Sequence, residues 1–284
     1  MEHRQSAASA LLARIEHYWL MPVACLVVWW SMLIAMLAVW AGQGRPKYVY
    51  EGEDAAVPYI SDIAASAGMQ VLFITGDAVQ GLFFILTLWA ERYLRHNGRL
   101  EYHFRQRENT ISAMAIAFGM IGQLGLVLVA VCRVDRYKAA HYYSVGVFVA
   151  GVGLAAACSS VEFTWLRQSY PEVRWLRRSY KLKLVWFTIA FVLATVFLFN
   201  TFTNNADVGA SVEWILAFWY GAFIIILAVD LYPAAKAVDR FDDKDGRLDC
   251  VEAVPEKARP RGYPFREPTL SYNLDGSTCF DICE

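Results

Sequence analysis

The chain has 284 residues, of which 57% are hydrophobic, 15% aromatic and only 19% charged. A soluble domain carries about a quarter of its residues as charge, so this composition excludes an ordinary water-solvated fold. The formal net charge of −1, from 26 basic and 27 acidic side chains, excludes a polybasic protein that coats nucleic acid through global charge.

Crossing a hydrocarbon core takes about 20 helical residues. Apolar runs of that length recur at about 19–41, 69–90, 110–132, 141–166, 184–202 and 211–232. The first is uncharged and lacks a small-residue cleavage site, so it reads as a retained span rather than a leader. The sequence therefore predicts an all-α polytopic membrane protein: a cytosolic N-terminus (1–18), a six-helix membrane domain (19–232) and a cytosolic, disordered tail (233–284). The tail mixes acids, bases, Pro and Gly with few large apolar residues, too few to bury a core.

Lys and Arg are retained on the cytoplasmic side of short loops. Thirteen basic residues fall before span 1 and in the loops after spans 2 and 4, against five in the intervening loops. Both termini are accordingly expected in the cytoplasm. The basic loops interleave Arg92, Arg95, Arg99, Arg105 and Arg107, then Arg174, Arg177, Arg178 and Lys181, with Tyr, Trp and Phe. Positive-inside topology alone accounts for such residues; contact with anionic lipid headgroups, phosphoinositide or phosphatidylserine, is the sharper expectation.

A charge inside a span costs several kcal/mol unless it faces the bundle interior. Asp77 lies in the outer half of the second span, on a stripe with Gln70, Gln80 and Thr87 at helical spacing and with Gly81 beside it. It reads first as an interhelical hydrogen-bond anchor and second as an ion, proton or headgroup site. Asp77, Asp135 and His141 share one end of the bundle, so an acid and histidine cluster there is conceivable, although no metal-ligand spacing or nucleophile motif accompanies it. Glu162 falls 21 residues after His141, about 31 Å along the helix, and belongs to the Arg-rich end. Gly119, Gly122 and Gly125, with Gly146, Gly151 and Gly153 one span later, read as close-packing faces.

In the tail, residues 241–252 imitate a calcium loop, but Phe241 occupies the first ligand position. The six Cys are scattered between spans and tail and read as reduced thiols. Neither a metal nor a cofactor is expected.

Pro58, Tyr59, Ile60, Ser61 and Asp62 in the first loop, the stretch ERYLRHNGRL from Glu91 to Leu100, and Asp135, His141 and Glu162 together resemble the DRAM and suppressor-of-four-kinase family of six-span membrane proteins, related to the N-terminal part of CWH-type proteins. The likeness covers about residues 15–232 and is greatest to the fungal suppressor-of-four-kinase branch. That resemblance implies a non-catalytic plasma-membrane regulator that supports the phosphatidylinositol 4-kinase complex and phospholipid organisation. It brings Asp62, Asp77, Asp135, His141 and Glu162 only as family-pattern positions. The alternative expectation is a lipid- or lipid-anchor-modifying enzyme using Asp77, Asp135 and His141.

Overall fold

A computed structural model of the chain describes residues 17–48, 57–66, 68–96, 99–101, 105–203, 205–242, 270–272 and 278–280. The chain divides into two compact units, Met1–Arg247 and Leu248–Glu284. The first contains seven helices among its described residues: α1 (Leu20–Gly42), α2 (Ile60–Ala65), α3 (Met69–His96), α4 (Gln106–Val131), α5 (Lys138–Ser169), α6 (Arg174–Phe202) and α7 (Ala206–Asp242). All but α2 are long and apolar enough to span a membrane. In the second unit two three-residue strands, β1 (Leu270–Tyr272) and β2 (Thr278–Phe280), pair antiparallel, with Ser271 opposite Cys279. Residues 1–16, most of the tail, and 243–252 of the calcium-like stretch lie outside the described residues.

The helices outrun the apolar segments that predicted them. α3 continues six residues past Ala90 through ERYLRH, and α6 begins at Arg174, ten residues before its apolar run. Arg, Lys, Leu and Glu are good helix formers, so nothing in these basic stretches stops a helix that has already nucleated in the apolar part. α7 likewise passes through Pro233, where the tail was expected to begin, and ends at Asp242. Pro removes one ladder bond, and the Ala, Lys and Val that follow favour helix enough to carry it on.

The six long helices close into a ring in which α1 packs on α3, α3 on α4, α4 on α5, α5 on α6, α6 on α7 and α7 back on α1. The closest approach is between α4 and α5. A Cβ on Gly151 would stand 2.5 Å from the Cα and N of Gly122, and one on Gly122 would stand 2.8 Å from Val152 N, so only glycine permits this crossing. Gly146 and Gly153, expected on the same packing face, look onto open space.

Large aromatic side chains fill the ring's centre: Trp186 stacks on Phe223 at 4.6 Å, and Trp29 and Phe148 meet Tyr220 edge-on at 5.4 and 5.7 Å. Buried indole N–H groups need acceptors and take backbone carbonyls of α7. Trp29 and Trp30 of α1 donate to Ala217 O (2.8 Å) and Phe218 O (3.4 Å), and Trp186 of α6 donates to Trp219 O (2.7 Å). α6 is the least covered span, with Phe191, Phe199 and Phe202 exposed. In a multi-pass membrane protein that surface faces lipid.

Candidate functional site

At the Arg-rich end of the bundle the ERYLRH segment turns inward. Glu91 and Arg95 stand one turn apart on the buried face of α3, and Arg95 Nη2 meets Glu91 Oε1 at 2.8 Å. Arg95 Nε lies 3.2 Å from Glu162 Oε1 of α5, and its Nη1 donates to Glu101 O at 3.2 Å. Arg95 is fully buried, so the guanidinium expected to face lipid headgroups is an interior tie between α3 and α5. Burial is tolerated because both Nη groups donate hydrogen bonds and the charge meets carboxylates on two elements.

A second buried pair lies beside the first. Lys183 Nζ of α6 meets Asp230 Oδ2 of α7 at 2.8 Å and donates to Ser159 Oγ of α5 at 2.8 Å. Phe163 contacts both cations, with Lys183 Nζ 3.2 Å and Arg95 Cζ 5.0 Å from its ring centroid. Four helices are thus joined through one network of Glu91, Arg95, Glu162, Lys183 and Asp230. Neither Lys183 nor Asp230 stood among the sequence candidates, because each abuts the end of an apolar run and reads there as an interfacial charge.

The remaining basic candidates stay at the surface. Arg174, Arg177, Arg178 and Lys181 are exposed and follow the i, i+3, i+4, i+7 spacing, so they form one stripe on the first two turns of α6. Cations at a helix N-terminus oppose the macrodipole, so the stripe is not there for the helix's own stability. Arg107 stacks over Trp165 at 4.7 Å, Arg99 over Tyr18 at 5.5 Å, and Arg92 donates to Asn109 O at 2.6 Å. Arg105 is exposed, and its backbone N–H is capped by Glu108 at 3.2 Å.

At the opposite end the Pro58–Asp62 segment enters α2, which is docked onto α7. Trp214 Nε1 donates to Pro58 O at 2.9 Å, Ile60 N–H donates to Glu213 Oε2 at 2.8 Å, and Tyr59 N–H donates to Asp62 Oδ2 at 3.2 Å. Asp62 is thereby a helix-start residue in a buried cap.

The three residues considered for catalysis occupy three separate settings. His141 Nδ1 faces the last carbonyls of α4, at 3.1 Å from Val129 O and 2.8 Å from Cys132 O, which makes Nδ1–H the donor. The ring borders a shallow pocket with Ser61, Phe73 and Arg133. Asp135 is held bidentately by Arg133 at 2.7 and 2.9 Å, and this hydrogen-bonded guanidinium lowers its carboxyl below the ordinary range. Asp77 is completely buried on α3 without a hydrogen-bond partner for either oxygen. Among the described residues no group of three His, Cys, Asp or Glu is arranged to hold a metal ion.

One level inward from Asp77, Gln80 Nε2 and Gln123 Nε2 both donate to Tyr220 Oη, at 2.8 and 3.0 Å. Gly81 makes room for the Gln123 side chain, which lies 3.3 Å from where a Cβ would stand. Gln123 and Tyr220 were not foreseen; a single neutral polar residue in an apolar run carries little signal.

A family model described as Frag1/DRAM/Sfk1/Cwh43P N-terminal domain matches residues 17–234, the whole bundle. The chain belongs to this family. It is 27% identical to Protein SFK1 of Saccharomyces cerevisiae over 278 residues, covering 75% of this chain and 77% of that one. To Protein sfk1 of Schizosaccharomyces pombe it is 25% identical over 233 residues, covering 80% of this chain and 69% of the relative. No solved structure matches. In this member of the Frag1/DRAM/Sfk1 family, ERYLRH supplies the interior tie at the basic end and the Pro58–Asp62 segment the cap at the far end.

Proposed function

We propose that this Frag1/DRAM/Sfk1 family member is a plasma-membrane regulator or scaffold, without a reaction of its own, that supports phosphatidylinositol 4-kinase signalling and phospholipid organisation. The observation that carries the reading is the exposed stripe Arg174, Arg177, Arg178 and Lys181 on α6, kept against the helix dipole and beside interfacial aromatic residues. With the Arg-rich end in the cytosol, as the bias of basic loops favours, that stripe meets the anionic leaflet. The likeness to the two SFK1 proteins points the same way. The lipid-modifying alternative needs Asp77, Asp135 and His141 around one cavity, and no observation favours it.

Each basic residue near an anionic surface contributes about 1 kcal/mol, so the charge reversals Arg177→Glu and Arg178→Glu together weaken binding to phosphoinositide-containing vesicles at least about 30-fold. Unchanged binding removes the headgroup role. Failure to co-purify the lipid kinase complex, together with unaltered phosphatidylinositol 4-phosphate after deletion, removes the regulatory role.

A further inference from the structure

We infer that Asp77 is the anionic ligand of a buried site, within the membrane, for one monovalent cation, a proton or a sodium ion, with the amide oxygens of Gln80 and Gln123 as its neutral ligands. The inference is independent of the regulatory reading above.

Asp77 stands eight residues into α3, about 12 Å along the helix, with none of its surface exposed and neither carboxylate oxygen hydrogen-bonded. A lone carboxylate at such depth is costly. Among the described residues the two buried cations, Arg95 and Lys183, are engaged elsewhere, and Arg95 is 18 residues further along the same helix, about 27 Å away.

Gln80 Oε1 and Gln123 Oε1 are also buried without partners, so four acceptor oxygens belong to one region of α3 and α4. The Gln80 and Gln123 amide nitrogens point instead at Tyr220 Oη, and Gln80 Nε2 also lies 3.4 Å from Cys25 Sγ. Asp77 precedes Gln80 by three residues, just under one turn of α3, and Cys25 Sγ and Tyr220 Oη both meet the Gln80 amide, so the five side chains form one buried neighbourhood about a turn deep. Among the described residues the titratable groups that act on Tyr220 of α7 are Cys25 of α1 and Asp77 of α3, and α4 brings the neutral Gln123. Turning an amide over redistributes neutral hydrogen bonds but brings no positive charge. The set keeps one formal negative charge, which a single monovalent cation neutralises. Carboxylate and amide oxygens suit a hard ion, and the single carboxylate argues against a divalent one.

The test uses the full-length protein in phosphatidylcholine nanodiscs. In one arm sodium chloride replaces choline chloride at constant ionic strength and fixed pH, and thermal unfolding is followed. In the other, sodium is absent and infrared spectra are recorded for the carbonyl stretch of a protonated carboxyl group. Sodium as occupant raises the melting temperature of wild type but not of Asp77→Asn. A proton as occupant gives a protonated-carboxyl band that Asp77→Asn removes, with stability unchanged at neutral pH. If Asp77→Asn does not fold, Gln123→Leu reads the same site: it weakens half-saturation by sodium about tenfold or shifts the carboxyl band. Absence of both the sodium effect and the Asp77 band overturns the inference. Neither arm involves a lipid kinase or a phosphoinositide, so failure of the regulatory reading leaves this test intact.

Discussion

Replacing Lys183 by Met is the most informative perturbation of the charge network. Lys183 Nζ lies 2.8 Å from Asp230 Oδ2 and 2.8 Å from Ser159 Oγ, and both members of the pair are fully buried. At 2.8 Å and an effective dielectric constant of 20 the attraction is about 6 kcal/mol, and the desolvation of both ions offsets much of it. Lys183→Met removes the attraction yet leaves the Asp230 carboxylate in the interior, the situation that costs about 3–5 kcal/mol. The expected loss of unfolding free energy is therefore about 4 kcal/mol. Lys183→Met with Asp230→Asn removes the stranded charge as well and restores stability to within about 1 kcal/mol of wild type. Denaturant unfolding of the detergent-solubilised protein, followed by Trp fluorescence, reports on this region because Trp186 sits one turn from Lys183. A coupling energy under about 0.5 kcal/mol in the double-mutant cycle would refute the reasoning, since it means the two charges do not sense one another.

Gly151→Ala drives a methyl group into the backbone of Gly122 and should cost about 1–3 kcal/mol or more, whereas Gly146→Ala meets nothing and gains up to about 1 kcal/mol of helix propensity; thermal unfolding compares the two. His141→Ala strips the Val129 and Cys132 carbonyls of their donor and should lower stability by about 1–3 kcal/mol, while His141→Asn, which keeps a donor, loses less. Equal losses in the two variants would show that this hydrogen bond is not the residue's role. Trp214→Phe gives up the bond to Pro58 O, worth about 1 kcal/mol, and should raise maleimide labelling of a Ser61→Cys reporter in α2 about fivefold.

Hydropathy made the six spans legible, because each span must be apolar along about 20 residues whatever it packs against. Helix ends were less legible, since the Arg-rich segments before Leu184 and after Ala90 stay helical in or beyond the headgroup zone, where polarity no longer distinguishes helix from loop. The cost of an intramembrane charge pointed to an inward-facing Asp77, which is buried, and drew Glu162 to the Arg-rich end. It did not reveal that Glu162's partner is Arg95, which looked like one more surface base in a basic stretch. The i, i+4 spacing of Glu91 and Arg95 was the available signal, and the Leu176, Ser179, Lys183, Trp186 spacing was the corresponding one for α6. The different partners of Asp77, Asp135 and His141 had no sequence signal, because residues assigned to one end of a bundle acquire their neighbours only from how the helices are arranged around the ring.

The indole bonds to Ala217, Phe218 and Trp219 make α7 a keyed shaft. Successive carbonyls point around a helix in steps of about 100°, so donors on α1 and α6 grip α7 from different sides at a single level. Turning α7 by one residue unseats all three indoles together, a barrier of about 3 kcal/mol at about 1 kcal/mol each. The helix is therefore held at one angular setting from two sides at once, and α1 and α6 fix the direction in which every other side chain of α7 points.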